Sequence, residues 1–491
     1  MPVERLELAP GFSISRVLTG LWQIADMERD GRAIDLDAAA AAMEPYVEAG
    51  LTTFDMADHY GSAEEIVGRF IARHGEGHIE VATKWVPRPG PVSRSDVRAA
   101  VERALERLRA PAIDLLQFHA WRYCDPSYLD CLFWLDELRA EGLVRHLGLT
   151  NFDAAHLDLV LASGIPVVSN QVSFSLVDRR AAGGLSDVCR KRGVRLLAYG
   201  TLAGGLLTER WLGVSEPKAH ALDTWSRMKY KRFIDAGGGW GSFQQLLAAA
   251  GRVAARLDVS TAQVAARFVL DEPAVGGIIV GARLGESEHI AEATALAELE
   301  IDTAARDEIA GLLAHRTAVP GDCGDEYRRP PYLTASGDLS HHLDDMPDPY
   351  PVTEREGTRR ASSGTAWEDL AGYSRAVRRG DRILVSGTTA SHGERLIGGS
   401  DPAAQTHYVI DKIEGALLSL GGCLEDVVRT RVFVSDASRW EPVARVHGER
   451  FADVRPANTL VEARLIGDEF LVEMEAEAVV ATTLSSRPER A

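Results

Sequence analysis

Residues 51–65 read LTTFDMADHYGSAEE, residues 79–85 read IEVATKW and residues 113–121 read IDLLQFHAW. Each stretch holds a short apolar run that closes on a polar residue: Asp55, Lys84 and His119. Tyr60 follows Asp55 by five positions. Three successive strands that each deliver a polar side chain at their C-terminal end describe the rim of a parallel barrel. Around them the chain alternates strand-like and helix-like stretches from Ser15 onward. RVLTGLWQI (16–24), VRHLGLT (144–150), VVSNQ (167–171), VRLLAYG (194–200) and GGIIVGA (276–282) are short and apolar, as strands buried on both faces should be. Helices are expected over Leu36–Glu48 with Gly50 as its stop, over Ala63–Ala72, and from an N-cap at Ser95 through Arg109, where Val97, Val101, Leu105 and Leu108 keep helical spacing. Eight such units imply an α/β fold, a (β/α)8 TIM barrel. An open doubly wound sheet would carry GxGxxG after its first strand, and none stands there; Gly237–Gly239 reads as a loop.

A Tyr, a Lys, an Asp and a His brought to one point form a proton-handling site. Tyr is a poor acid near neutral pH. A neighbouring ammonium favours the phenolate, an Asp holds that ammonium charged, and a His can donate to a carbonyl oxygen. The set suits a general acid that protonates a carbonyl as hydride arrives.

The motifs GLTTFDMADHYGSAEEIVG, TKW and LLQFH resemble the aldo-keto reductase family. The resemblance implies Tyr60 as general acid/base, Lys84 and Asp55 as its tuners and His119 as the carbonyl-orienting donor. It implies NADP(H) as cofactor and a small carbonyl or alcohol as substrate. Asn151 in TNF and Gln171 in VSNQ match the residues that hold the nicotinamide carboxamide, and Tyr199 ends a strand where it can stack on the ring. GTLAGGLL, with Gly200, Leu202 and Gly204, resembles the family's pyrophosphate-gripping loop, where backbone N–H groups meet phosphate oxygens. VGARLGESEH, with Gly281 and Arg283, resembles the stretch at the adenosine end, and a bidentate Arg283 would favour a 2′-phosphate. The chain departs from the pattern at Ala293, where the family places an adenine-contacting Asn.

Trp22, Trp85 and Trp121 lie near the same strand ends, and an aromatic wall suits sugars or aromatic carbonyls. The segment from Leu212 to Gly241 is long enough to be a lid or specificity loop.

At 491 residues the chain exceeds one ordinary domain. A net charge of −18 argues against nucleic-acid and anionic-membrane partners. No apolar run spans a bilayer, the N-terminus lacks a signal-peptide pattern, and five scattered cysteines without a CxxC pair fit reduced thiols, so a cytoplasmic protein is expected. No metal-ligand spacing appears, and His341-His342 reads as solvated.

The first domain is expected over 1–340, a linker over 341–365 and a second domain over 366–485. The second begins with a strand RILVSGT and carries a helix over Ala403–Leu420, another over Trp440–Phe451 and two alternating final strands. That order implies a small α+β domain, one sheet packed by two helices. YSRAVRRGDRILVSGT, GGCLEDVVRTRVFVSD, RPANT and VEMEAEAV resemble the reactive-intermediate deaminase (RidA/YjgF) family, a chorismate-mutase-like fold. The resemblance implies a trimer with ligand clefts between subunits, and Glu473 as the acidic residue that positions water. Asn458 stands where the imine-hydrolysing members have an Arg, and an amide lacks the charged fork that clamps a carboxylate. Two functional readings follow: an oxidoreductase fused to a ligand-binding or enamine/imine-handling domain, and a non-catalytic redox-sensing assembly protein whose C-terminal unit organises a trimer.

Overall fold

A computed structural model of the chain describes residues 3–28, 31–218, 221–328 and 346–481. The chain opens with an antiparallel hairpin of β1 (Arg5–Ala9) and β2 (Phe12–Ser15). The strands β3 (Val17–Gly20), β4 (Thr53–Asp55), β5 (Glu80–Trp85), β6 (Ile113–His119), β7 (Val144–Thr150), β8 (Val167–Ser173), β9 (Arg195–Tyr199) and β10 (Val275–Gly281) follow. They pair in parallel and close in the order β10-β3-β4-β5-β6-β7-β8-β9. The (β/α)8 barrel expected from the strand–helix alternation is therefore the fold.

The hairpin had no counterpart in the sequence reading. Leu8, Phe12 and Ile14 bury against Leu18, Leu115 and Leu197 and plug the end of the barrel away from the site. Three local readings change. Trp22–Met27 is helix rather than a continuation of the first strand, which carries Trp22 and Asp26 over the barrel mouth. The run Leu36–Glu48 is split into Leu36–Ala41 and Glu44–Glu48, because Pro45 has no N–H to continue the first helix. Ser93, not Ser95, caps the Arg94–Leu108 helix, in a capping box with Asp96.

The C-terminal domain is a seven-stranded sheet in the order β11 (Val352–Arg355), β12 (Thr358–Ala361), β13 (Ala376–Arg379), β14 (Arg382–Thr389), β19 (Val472–Val479), β17 (Val427–Val434) and β18 (Ala457–Glu462). A small hairpin, β15 (Ser391–His392) and β16 (Arg395–Leu396), stands apart from it. The Pro402–Ser419 helix packs on β14 and β19, and the Trp440–Arg450 helix packs on that helix. Part of the stretch expected to be linker, 341–365, belongs to this sheet. Residues 352–361 form a hairpin around Glu356 and Gly357, both at positive φ (53° and 70°), and β12 pairs with β13. Its strands are polar because they stand at the sheet edge, which hid them in a reading by apolar pattern. His341 and His342 lie outside the described residues.

The two domains meet through the Ala154–Ala162 helix of the barrel and the Pro402–Ser419 helix. The backbones approach closely. A Cβ on Gly415 would lie 2.4 Å from the Cys124 carbonyl, and one on Gly399 would lie 2.5 Å from that of Ala162. Gly398 N–H donates to Ser163 Oγ (2.9 Å), and His392 Nε2 meets Asp130 Oδ1 (2.9 Å). The opposite face of the sheet, with Leu384, Val461 and Val479, is left exposed.

Candidate active site

The C-terminal ends of the barrel strands open into a cavity of about 440 Å³. Asp55, Tyr60, Lys84 and His119 all line it. Lys84 Nζ donates to both oxygens of Asp55, at 2.9 and 2.8 Å, and both side chains are buried. Asp55 Oδ1 also accepts from Gln117 Nε2 (3.2 Å) and Gln171 Nε2 (2.6 Å), and Gln171 donates to Gln117 Oε1 at 2.9 Å. The carboxylate is thereby held on every side, as a buried charge must be.

Lys84 Nζ sits 4.8 Å from the centroid of the Tyr60 ring. An ammonium beside a phenol would lower its pKa. The structure points the other way: burial, then the Asp55 charge, hold the Tyr60 pKa well above its ordinary value. The reason is that Lys84 directs its protons at Asp55. Burial also pushes the Lys84 pKa down, against Asp55, which raises it. Tyr60 is thus kept in its protonated form.

His119 is held neutral, its pKa well below the usual imidazole range through burial and then the Arg328 charge. Nδ1 lies 3.4 Å from the Thr150 carbonyl, and Nε2 has no hydrogen-bond partner among the described residues. This buried nitrogen lines the same cavity as the Tyr60 phenol, and an orphaned polar atom there can take a ligand's polar group. The ring is edge-on to Trp121 (centroids 4.6 Å apart) and to Tyr327 (5.4 Å).

The residues matched to cofactor binding line the same cavity: Asn151, Gln171, Tyr199, Gly200, Leu202, Gly204, Gly281 and Arg283. Asn151 has φ 61° and accepts from Tyr199 Oη at 2.7 Å. Gly200 and Gly204 are required where they stand. Both have positive φ, and a Cβ would strike Tyr230 Oη at 2.0 Å in the first and the Ser226 backbone at 2.9 Å in the second. The Trp225–Ala236 helix, within the segment read as a lid, closes over the loop that these glycines shape. Arg283 pairs with Asp26 (2.7 Å). Ala293 is buried in the Ile290–Ala295 helix.

Trp22 and Trp121 line the cavity, and Trp22 stands edge-on to Tyr60 with centroids 4.9 Å apart. Trp85 does not; it packs on Phe118 (5.6 Å). Trp225 takes its place in the aromatic wall.

Several site residues were missed. Gln117 was legible, since it stands two positions before His119 and alternation turns both to the same side of β6. Lys229 and Arg328 carried no local signal, because helices outside the strand pattern supply them; Tyr327, an aromatic in the segment after the last strand, was the one hint that this segment packs over the barrel. The Asp325–Arg328 turn is anchored by Glu326, buried and paired with Arg180 at 2.8 Å. Arg328 then donates to the carbonyls of Ala120 and Asn151 (2.8 and 2.7 Å) and lies over Tyr123 (4.2 Å).

In the C-terminal domain, Asn458 Nδ2 donates to Thr430 Oγ1 at 2.9 Å, and that hydroxyl lies 2.8 Å from His447 Nε2. Glu473 is on β19, with its pKa raised by burial and then by Glu475. No group of His, Cys, Asp or Glu among the described residues is arranged to hold a metal ion, and no described helix is long and apolar enough to cross a membrane.

The family model described as "Aldo/keto reductase family" matches residues 16–314, and the one described as "Endoribonuclease L-PSP" (RidA/YjgF) matches residues 364–480. An uncharacterized protein of Streptomyces coelicolor is 40% identical over 124 residues, 25% of this chain and 92% of its own. Protein tas of Escherichia coli is 29% identical over 285 residues, 50% of this chain and 80% of its own. Among solved structures, the glycerol dehydrogenase of Gluconobacter oxydans aligns over 66% of this chain and 98% of its own with a TM-score of 0.54 and 23% identity, a likeness of fold.

Proposed function

From the premise that this chain belongs to the aldo/keto reductase family, whose members are oxidoreductases of the carbonyl–alcohol pair, we propose that it reduces an aldehyde, ketone or sugar carbonyl with NADPH, Tyr60 donating the proton. The observation that carries this reading is the Asp55–Lys84 pair set beneath the Tyr60 ring, in one cavity with a neutral His119 whose Nε2 has no hydrogen-bond partner among the described residues.

The cofactor would lie along the rim. Tyr199 and Asn151 would hold the nicotinamide end, the Gly200–Leu207 loop the diphosphate, and Arg283 the 2′-phosphate. The glycine cradle fits a close backbone approach, since at Gly281 a Cβ would already strike Gln23 at 2.2 Å. The bound nicotinamide would supply the hydride to the carbonyl carbon. His119, in the tautomer that carries its proton on Nε2, donates to the carbonyl oxygen, and Tyr60 gives its proton to that oxygen as negative charge develops. Lys84 keeps positive charge behind the phenolate left on Tyr60. Trp22, Trp121 and Trp225 exclude water from the reacting carbon. Five free cysteines, four of them buried, suit a reducing compartment such as the cytoplasm.

For the C-terminal domain we propose assembly and ligand binding rather than imine hydrolysis, because Asn458 spends its amide on Thr430 and brings no charge. The exposed sheet face, apolar at Leu384, Val461 and Val479 with Arg431, Glu475 and Glu477 between, fits a second and third copy of the chain. A mass near three chains in light scattering supports the trimer, and a monomer rules it out.

The test of the barrel reading is NADPH oxidation against a panel of aldehydes, ketones and sugars, run beside Tyr60→Phe. Turnover should fall by roughly two or more orders of magnitude in the variant. A variant that keeps full turnover removes Tyr60 from the mechanism.

A further inference from the structure

The lysines and arginines that line the cavity differ in one respect. Lys84 pairs with Asp55, Arg227 with Asp223 and Arg283 with Asp26. Lys229 has no carboxylate within ion-pair reach among the described residues. It is 9% exposed. Its Nζ donates to Tyr327 Oη at 2.7 Å and is ringed by aromatic faces, with centroids of Tyr199 at 4.8 Å, Tyr327 at 4.9 Å, Tyr230 at 5.6 Å and Phe233 at 5.7 Å. The nearby Glu326 is committed to Arg180. A buried ammonium without a counter-ion is costly, and aromatic faces return only part of that cost. Burial pushes the Lys229 pKa down, but Tyr327, Tyr230 and Glu326 outweigh it, so the group stays charged.

Its place in the cavity tells which anion it waits for. Lys229 belongs to the carbonyl end: the ring of its partner Tyr327 is edge-on to His119, and Tyr199 beneath it bonds Asn151. The adenosine end is marked by Arg283, which has Asp26 as its partner.

We infer that the carbonyl substrate carries an anionic group of the carboxylate class, and that Lys229 binds it while Tyr60 and His119 hold the carbonyl. This deepens the reductase reading and rests on it. The aromatic walls suit a flat spacer between the two groups, and the proton and hydride go where the reductase mechanism already sends them. Lys229 thereby sets specificity rather than chemistry.

The test compares 4-formylbenzoate with its neutral isostere 4-formylbenzamide, in the wild type, Lys229→Met and Lys229→Arg. The charged-to-neutral ratio of kcat/KM should be about ten or more in the wild type, fall toward one in Lys229→Met through the KM of the charged aldehyde, and recover in Lys229→Arg. The dissociation constant of NADPH, read by tryptophan quenching, should stay within about twofold. Equal kcat/KM for the two aldehydes in the wild type overturns the inference and leaves the reductase reading standing. A preference that survives in Lys229→Met overturns it as well. A loss of NADPH affinity in place of the preference assigns the ammonium to the cofactor's phosphates. If neither aldehyde is reduced, titration of the NADPH-loaded protein with benzoate against benzamide decides: benzoate binding lost in Lys229→Met upholds the anion site, and equal binding of both ends it.

Discussion

His156 of the barrel and Asp411 of the C-terminal domain are joined across the domain boundary, Nε2 to Oδ2 at 3.0 Å, with both side chains buried. Asp153 takes the other ring nitrogen at 2.7 Å, and Arg450 holds the second oxygen of Asp411 at 2.6 Å. Burial works against a charged His156, but Asp153 and Asp411 override it and raise its pKa to about 9. Burial likewise works against an ionised Asp411, and Arg450 and His156 bring it down to about 2. The two domains thus share a charged core that forms only when both are folded and docked.

Stability should follow these shifts. His156 has a folded pKa above its ordinary value of about 6.5, so its contribution is complete below that pH and is lost as pH rises through about 9. Asp411 works in the opposite sense, contributing above its ordinary value of about 3.9 and losing that contribution as pH falls through about 2. Asp411→Asn removes one of the two charges that raise His156, and should cost about 3–5 kcal/mol, the range for breaking a buried pair. It should also move the alkaline loss of stability to lower pH. Denaturant melts of both proteins across the range from neutral to alkaline check this. An unchanged alkaline limb in the variant would show that Asp411 does not tune His156.

Arg328 ties the same region to the site. His156 stacks on Tyr123, with centroids 3.4 Å apart and planes 7° apart, and Arg328 lies over Tyr123 while donating to the carbonyls of Ala120 and Asn151. Ala120 follows His119 in the chain, and Asn151 stands at φ 61°. Gly324 makes room for the guanidinium, since a Cβ there would lie 2.0 Å from Arg328 Nη1. Arg328→Ala should free the Asn151 loop and weaken NADPH about tenfold, a loss of ~1.4 kcal/mol. Equilibrium quenching of tryptophan fluorescence by NADPH measures it, and wild-type affinity would contradict the positioning role.

What the sequence carried and what it did not divides along the physics. The barrel was legible because its strands are short, apolar and evenly interrupted, and the convergence of Asp55, Lys84 and His119 was legible because they stand in the C-terminal ends of successive strands. The hairpin over residues 352–361 was hidden because an edge strand needs no apolar face. Trp85 misled, since nearness to a strand end does not fix whether a side chain turns into the cavity or, like Trp85, onto Phe118. Lys229, Tyr327 and Arg328 reach the site from segments distant in sequence, and only tertiary packing of Glu326 on Arg180 brings two of them there. Asp26 as a partner of Arg283 spans 257 positions, a pairing that no local pattern announces.

The tetrad proposed as catalytic predicts a pH signature. The Tyr60 phenol must be protonated to serve as acid, and burial, then Asp55, raise its pKa well above the ordinary value. Reduction should therefore run level from about pH 6 to about pH 9 and decline only beyond. No inflection from His119 should appear in that range, because burial and then Arg328 keep the imidazole neutral. Lys84→Met strips the ammonium from beneath the Tyr60 ring and leaves Asp55 with only amide donors. It should lower kcat by roughly two to three orders of magnitude with little change in NADPH affinity. Steady-state rates and fluorescence titration separate the two effects, and equal losses in both would make Lys84 a structural residue.

The Arg283 guanidinium, proposed above to meet the cofactor's 2′-phosphate, already has Asp26 as its partner. The guanidinium is partly exposed and held by Asp26 at 2.7 Å, with Glu286 more distant at 3.7 Å. A 2′-phosphate approaching Arg283 must share it with a carboxylate of the same sign. Arg283→Ala should weaken NADPH by about tenfold or more and NADH by far less, since only the former brings the phosphate. Asp26→Asn should act in the opposite direction, releasing the guanidinium and tightening NADPH by about threefold to tenfold while leaving NADH nearly unchanged. Dissociation constants of both cofactors for both variants test the pair. Equal losses for NADPH and NADH in Arg283→Ala would remove Arg283 from phosphate recognition, and a weaker NADPH complex in Asp26→Asn would show that Asp26 orients the guanidinium instead of competing for it.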